Sequence, residues 1–182
     1  MTAKDIIIEE LIKKAYSPLK NYIIPGLTSS LITAPSKDGC VRLFESSREH
    51  QEQLTPHSHR FDFKCYVVKG WVTNIIWSKQ RLAGDGDRFM SSTLTYQGEA
   101  GKYNTAVGES GFWSPEKSTY QAGDFYSIRY HQIHSIQFSR NAQVLFFEGK
   151  TETNESFILE PDVDGTIIRT MKTEKWMFKS EQ

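Results

Sequence analysis

The sequence lacks the features that mark secreted and membrane-spanning proteins. It has two cysteines, Cys40 and Cys65, among 182 residues, which allows one disulfide but is more typical of reduced thiols in a cytosolic chain. Its longest apolar runs, Ile6 to Ile8 and Tyr66 to Val68, fall far short of the roughly 18 residues that a membrane span needs. No signal-peptide pattern is present at the N-terminus. We therefore expect a cytoplasmic protein.

An excess of charge of either sign is also missing. Lysine and arginine total 22 and aspartate and glutamate total 22, so the formal net charge is zero. A neutral overall field gives no general attraction to nucleic acid or to an anionic membrane. We expect the partner to be a small-molecule substrate or ligand, with no nucleic acid and no membrane, and a homodimer stays open.

The length and composition indicate one domain. A chain of 182 residues that is 38% hydrophobic can bury one substantial core and is too short to need two. Thr2 and Asp5 resemble a capping box, and Pro18 stops the pattern that follows. That pattern has apolar residues at helical spacing, namely Ile8, Leu11, Ile12 and Ala15. We predict a helix within residues 1–24 that packs on a barrel domain formed by residues 25–182.

From about Leu27 the sequence changes to short β-branched and aromatic segments separated by glycine-containing turns. This rhythm is typical of an antiparallel sandwich or barrel. The interval from Gly98 to Tyr120 is polar and glycine-rich, and two interpretations stay open for it: a lid over a pocket, or a long hairpin with a solvated tip. The predicted strands are Leu27 to Thr33, Cys40 to Ser46, Phe61 to Val68, Trp71 to Trp77, Met90 to Tyr96, Phe125 to Arg129, Ser135 to Ser139, Val144 to Gly149, and Thr166 to Met171.

Two histidines stand two residues apart in the tripeptide His57-Ser58-His59. In an extended segment, residues two apart point to the same side, so both imidazoles can reach one ion about 2 Å from each nitrogen. Alone, the pair is weak evidence, because this spacing often arises by chance. His134 adds a third imidazole at the start of a separate predicted strand. The sequence therefore predicts a β-barrel that holds one divalent metal ion with His57, His59 and His134.

These residues resemble the two sequence motifs of the cupin superfamily. His57, His59 and Gly70 match the first motif, in which His-x-His is followed by a glutamate and a glycine. Gly123 and His134 match the second motif at its usual spacing. The resemblance implies an all-β fold, a cupin-type antiparallel double-stranded β-helix (jelly-roll) barrel, here with an N-terminal α-helix.

The sequence departs from the cupin pattern at the glutamate ligand. That position falls on Phe63, or on Lys64 at the alternative spacing. Neither is an ordinary ligand, because a phenyl ring has no lone pair and an ammonium must first lose its proton. Strand parity places Phe63 on the inward side with His57 and His59. Three positions of the second motif also differ, with Arg129 and His131 in place of its proline and glycine and Phe138 in place of its asparagine.

A carboxylate-free set of three histidines is similar to the site of cysteine dioxygenase-type (thiol dioxygenase) cupins. The resemblance implies a non-haem Fe(II) dioxygenase that acts on a small polar or anionic molecule, although Zn, Ni, Mn or Cu suit the same donors. We predict four catalytic residues near the ligands. Arg60 and Arg129 can pair with an anionic substrate group, Tyr130 can donate a hydrogen bond to bound oxygen, and His131 lies beside His134.

Two other functions stay open. A non-catalytic cupin that binds a small anionic ligand or nucleotide in the barrel mouth would explain the missing glutamate without further assumptions. A metal-dependent isomerase or sugar-modifying cupin is the other alternative, with His131 as its candidate base. Cys65, in the strand of the first motif, is interpreted as a small core residue.

Overall fold

The computed structural model describes residues 3–50, 55–81, 86–98, 102–163 and 166–167. The predicted N-terminal helix is present as α1, Ala3–Lys13. Its apolar stripe, which includes Ile8, Leu11 and Ile12, packs against a buried cluster around Leu43. Thr2 of the predicted capping box lies outside the described residues. Within the described residues, no helix is long and apolar enough to cross a membrane.

The remainder of the described chain is built from strands. Their bounds, in chain order, are β1 Tyr16–Lys20, β2 Leu27–Leu31, β3 Val41–Ser46, β4 Phe61–Lys69, β5 Trp71–Lys79, β6 Asp87–Tyr96, β7 Tyr103–Gln121, β8 Phe125–Ile128, β9 Ile133–Phe138, β10 Gln143–Thr151, β11 Glu155–Val163 and β12 Thr166–Ile167.

The strands form two six-stranded antiparallel sheets. The first has the order β1-β2-β3-β10-β4-β8 and the second β12-β11-β6-β7-β5-β9. The chain crosses between the sheets repeatedly, so β10 pairs with both β3 and β4, and β9 pairs with β5. This arrangement of two antiparallel sheets joined by crossovers is a jelly roll. The predicted all-β jelly-roll barrel with an N-terminal helix is confirmed.

The main core lies between the two sheets. Phe63, Val67 and Phe146 of the first sheet are buried in one cluster with Val72 and Phe138 of the second. Alternate residues of each strand point to the same face, so the odd-numbered residues of β4 form the inward row. Cys65 is one of them, and it is a free, buried thiol as predicted for a core residue. Cys40 is also a free thiol.

Side chains of the second sheet form a second, smaller hydrophobic cluster. Ile75, Trp77 and Ile133 pack there with Phe89 and Leu159, and the Trp77 indole donates to the Ser135 hydroxyl at 3.0 Å. These contacts join β5 and β9 to the β6 and β11 side of the same sheet.

The predicted strands agree in position with β2 to β6, β8, β9 and β10, while three strands were not predicted. β1 includes Pro18, the residue that ends the helical pattern, so a strand follows the helix there. β7 fills most of the polar interval, which forms one arm of a long hairpin with β6. β11 lies in a segment for which the sequence analysis gives no strand. Of the predicted strand Thr166 to Met171, all but residues 166–167 lie outside the described part of the chain.

Candidate metal centre

The backbone of His57 is held between two strands of the second sheet. Single bridges join it to His134 of β9 and to Ile158 of β11. The His57 N–H donates to the His134 carbonyl at 2.9 Å, and the His134 N–H donates back to the His57 carbonyl at 2.8 Å. The neighbouring Leu159 N–H donates to the Pro56 carbonyl. His57 therefore lies next to His134 because their main chains are paired.

His59 reaches the same place from the entrance to β4. Its N–H donates to the Tyr130 carbonyl at 3.2 Å. Its ring centroid lies 4.8 Å from that of His57 and 4.8 Å from that of Phe63. The tripeptide lies outside β1 to β12, with His57 in single bridges, and the two imidazoles still point to one side.

The three imidazoles converge. One ring nitrogen from each of His57, His59 and His134 lies within 4.8 Å of the others. The Nε2 atoms of His59 and His134 are 2.9 Å apart, and two nitrogens at that separation can both lie about 2.1 Å from one ion. The structure thus brings together the three histidines that the sequence predicts as ligands.

Hydrogen bonds to the other ring nitrogens fix two of the imidazoles. His57 Nδ1 donates to the Thr55 carbonyl at 2.8 Å, and His134 Nδ1 donates to the Asn74 Oδ1 at 2.7 Å. A proton on Nδ1 leaves the Nε2 lone pair for a metal, which is how metal-binding histidines are usually oriented. Asn74 is buried in β5. Sequence analysis missed it because its role depends on the register of β5 with β9.

Burial keeps the histidines neutral. Desolvation lowers the pKa of His57, although the hydrogen bond to Thr55 opposes this. Desolvation, followed by the repulsion of neighbouring imidazoles, holds the pKa of His59 and of His134 well below the ordinary value. Only a neutral imidazole has a lone pair for a metal. The donor set therefore fits a divalent cation at neutral pH without first having to lose protons.

Phe63, which stands at the sequence position of the motif's glutamate, lies beside the cluster. It is buried, and its ring centroid lies 4.8 Å from that of His59 and 5.4 Å from that of His134. This is the inward orientation that strand parity predicts. Glu148 pairs with Phe63 across the strands, yet within the described residues no carboxylate joins the histidine group. An ion bound here would have three neutral protein ligands.

The histidines open onto a cavity of about 160 Å³ between the sheets. Most of its wall is apolar. Aromatic side chains predominate, and they are Tyr22, Phe44, Phe61, Phe63, Tyr103, Tyr126, Phe138 and Phe146. Three charged side chains, Arg42, Arg60 and Glu148, also line it.

Of the four predicted catalytic residues, the structure brings Arg60 to this cavity. The Arg60 guanidinium lies 4.0 Å from the centroid of the Tyr96 ring, which favours a cation through the ring quadrupole. Arg129, Tyr130 and His131 lie in and beside the turn between β8 and β9 and are not among the described residues that line the cavity.

The turn that carries these three residues is fastened to the start of β4. Arg129 Nη1 lies 2.6 Å from Asp62 Oδ2, and the Tyr130 N–H donates to Asp62 Oδ1 at 2.8 Å. These two contacts lower the pKa of the Asp62 carboxyl. The Arg129 side chain is 70% exposed, so the ion pair holds a turn at the surface rather than a group in the cavity.

Arg42 and Glu148 are cavity residues that sequence analysis missed. Arg42 is inward-facing in β3 and only 4% exposed. Its Nε lies 3.9 Å from Glu148 Oε2. The sequence carried a signal for both, because each is a charged residue at a position that faces inward by strand alternation. In β10, for example, Val144, Phe146 and Glu148 alternate along the strand and share the inward face.

The similarities to known proteins are distant. No family model and no curated protein matches the sequence. Among solved structures, KdgF from Halomonas sp. is 16% identical with a TM-score of 0.40 over 75% of this chain and 91% of that chain. A cupin superfamily protein from Desulfitobacterium hafniense is 12% identical with a TM-score of 0.40 over 74% and 84%.

A third solved structure is that of HppE with Fe(II) and substrate. It is 8% identical with a TM-score of 0.46, and the match covers 72% of this chain and 55% of that chain.

Proposed function

We propose that this chain is a metal-dependent enzyme, a non-haem Fe(II) dioxygenase whose iron is held by His57, His59 and His134. One observation carries the proposal: three neutral imidazoles converge beside a cavity, and hydrogen bonds from Nδ1 orient two of them. A buried polar cluster arranged only for stability would not need a cavity next to it. This cluster has one that fits a small molecule.

The three-histidine set favours iron over a structural ion. Three protein ligands on one side leave coordination positions for substrate and dioxygen, whereas structural zinc sites are closed by four protein ligands. When bound, the iron supplies the ability to activate dioxygen. Ligand type alone also admits Zn, Ni, Mn or Cu, so metal identity is the part of the proposal that needs direct measurement.

The protein's own residues have separable tasks in this proposal. Thr55 and Asn74 hold the imidazoles of His57 and His134 in the ligating tautomer. Phe63 and the aromatic wall exclude water, which strengthens electrostatic interactions inside the cavity. Arg60 lies at the cavity wall, where its guanidinium can attract an anionic substrate.

Metal content tests the proposal. Protein purified without chelators should contain about one iron per chain by elemental analysis, and H57A, H59A and H134A should each lose it. H50Q is the matched control, because His50 packs on Phe138 outside the three-histidine group and its replacement should leave the metal content unchanged. Iron-loaded protein should consume dioxygen with its substrate, and wild-type protein without any metal would refute the proposal.

A second function is favoured by the short contact between His59 and His134. With Nδ1 of His134 protonated, the 2.9 Å contact is satisfied by a hydrogen bond from His59 Nε2 to His134 Nε2. The contact between these two histidines is then satisfied without a metal ion. In that case the chain would be a non-catalytic protein that binds a small anion in the cavity. Ligand binding that persists in H59A would favour this alternative.

A further inference from the structure

The strand β11 runs beside the segment that carries the first two histidines. A single antiparallel bridge pairs His57 with Ile158. In an antiparallel pair, two residues forward on one chain correspond to two residues back on the other, which brings His59 and Ser156 to matching positions. Residues two apart share a face, so Ser156 lies on the same side as the histidines. Ser156 and all three histidines line the cavity.

Two hydrogen bonds hold β11 in this position. The Ser58 N–H donates to the Phe157 carbonyl at 2.8 Å, and the Phe157 N–H donates to the Ser58 hydroxyl at 2.8 Å. Ser58 stands between the first two histidines and is 3% exposed. Phe157 follows Ser156 directly in the chain. The place of Ser156 beside the histidines is therefore fixed by contacts of its immediate neighbour.

The Ser156 hydroxyl is buried without a partner. Ser156 is 2% exposed, and its Oγ has no hydrogen-bond partner within the described residues. Buried hydroxyls are nearly always hydrogen-bonded in folded proteins, and an unpaired one costs stability. The Tyr126 hydroxyl, which also lines the cavity, differs because the Cys65 thiol of the neighbouring strand lies beside it. Ser156 thus brings an unengaged polar group to the cavity on the side of the histidines.

The charge of the site decides what this hydroxyl would meet. An ion held by three neutral imidazoles keeps its double positive charge and attracts an anion to its open side. Such an anion has lone pairs and needs a hydrogen-bond donor, whereas the Nδ1 protons of His57 and His134 already go to Thr55 and Asn74. The hydroxyl of Ser156 can donate. A hydrogen bond to an ionised group is about twice as strong as one between neutral groups, and apolar surroundings strengthen it further.

We propose that the Ser156 hydroxyl donates a hydrogen bond to a small anion that binds the metal ion on the side left open by the histidines. Ser156 is then a positioning residue, which orients this anion and adds to its affinity. This role rests on the metal site of the proposed function, but it requires neither iron nor reaction with dioxygen. The sequence motifs do not indicate Ser156, because its placement follows from the pairing of β11 with the segment of His57.

Titration of cobalt-loaded protein with azide tests this role. Co(II) suits the same nitrogen donors as Fe(II), and its visible absorption changes when an anion binds to it. S156A should take up as much cobalt as wild type. It should bind azide about 10- to 100-fold more weakly, which is the loss expected for one hydrogen bond to a charged group. S156T keeps the hydroxyl and should retain the azide affinity of wild type.

S29A is the matched control. Ser29 is 1% exposed, and its hydroxyl also has no partner within the described residues, but it lies in β2 and is not among the described residues that line the cavity. Its replacement should leave the azide affinity unchanged. Urea unfolding of metal-free protein adds a second readout. Removal of an unpaired buried hydroxyl relieves a desolvation cost and breaks no hydrogen bond, so metal-free S156A should be at least as stable as wild type.

Equal azide affinities in S156A and wild type would overturn the inference, and so would an equal loss in S29A and S156A or in S156T and S156A. A lower stability of S156A with unchanged azide affinity would assign the hydroxyl to the fold instead. Wild type that takes up no cobalt would overturn both this inference and the metal site. Protein that binds azide through Ser156 but is purified without iron would keep the inference and lose the dioxygenase. Iron-containing protein that consumes dioxygen, with normal azide binding in S156A, would keep the dioxygenase and lose the inference.

Discussion

At the scale of single residues, the site depends on groups that do not touch the proposed ion. Asn74 accepts from His134 Nδ1 at 2.7 Å and is 2% exposed. Without that acceptor, the imidazole could carry its proton on either nitrogen, and a buried N–H would lose its partner. Outer partners of this kind usually change metal affinity by about 10- to 100-fold.

We therefore expect N74L to weaken metal binding by about 10- to 100-fold, measured by competition with a chromogenic chelator. N74D should retain most of the affinity, because a carboxylate accepts the same hydrogen bond. T73V is a control on the same strand, where Thr73 bonds to Thr119 and not to a histidine. Equal affinities in N74L and wild type would show that Asn74 has no orienting role.

The residue scale also shows what sequence can predict. His57, His59 and His134 could be predicted because two lie at fixed spacing on one extended segment and the third follows a recognisable turn. Phe63 could be placed by strand parity alone. Asn74 could not be predicted, because its partner comes from another strand and the pairing register is not encoded near this residue.

At the scale of elements, turns bring cavity residues into place. The turn that ends at Gly39 holds Cys40 and Arg42 against β10. Gly39 has φ of 102° and closes the turn by hydrogen bonds with Ser36. A Cβ atom at Gly39 would overlap the backbone of Glu148. The position needs glycine both for its conformation and for this close approach.

G39A should therefore lose about 2 to 4 kcal/mol of unfolding free energy, from backbone strain and overpacking together. Urea unfolding followed by tryptophan fluorescence measures it. G123A is the matched control, since Gly123 has φ of 101° and open space around its Cβ position. It should show only the strain, about 1 kcal/mol, and an equal loss in both variants would exclude the overlap with Glu148.

Elements that expose both faces were the hardest to predict. β7 is 19 residues long, largely exposed, and contains Gly108, Gly111 and Pro115, so neither alternation nor composition indicates a strand. It forms because β6 pairs with its first part and β5 with its last. Such tertiary pairing overrides weak local propensity. The strands β4 and β10 were predicted because they are rich in the aromatic and β-branched residues that favour strands.

At the scale of the whole molecule, a bound ion would tie the two sheets together. His59 leads into β4 of the first sheet, His134 lies in β9 of the second, and His57 joins β9 to β11. Unfolding separates these segments and destroys the site. A ligand that binds only the folded state stabilises it according to its concentration and affinity.

At a metal concentration 100 times the dissociation constant, the gain is about 2.7 kcal/mol. For a domain of this size, that corresponds to a rise in Tm of about 5 to 10 °C. Calorimetry should show this rise when metal is added to chelator-treated wild type and to H50Q, and no rise in H59A. The proposed link between the sheets needs the His59 imidazole, which H59A lacks. A rise in Tm in H59A equal to that of wild type would therefore mean that the metal stabilises the fold from a different site.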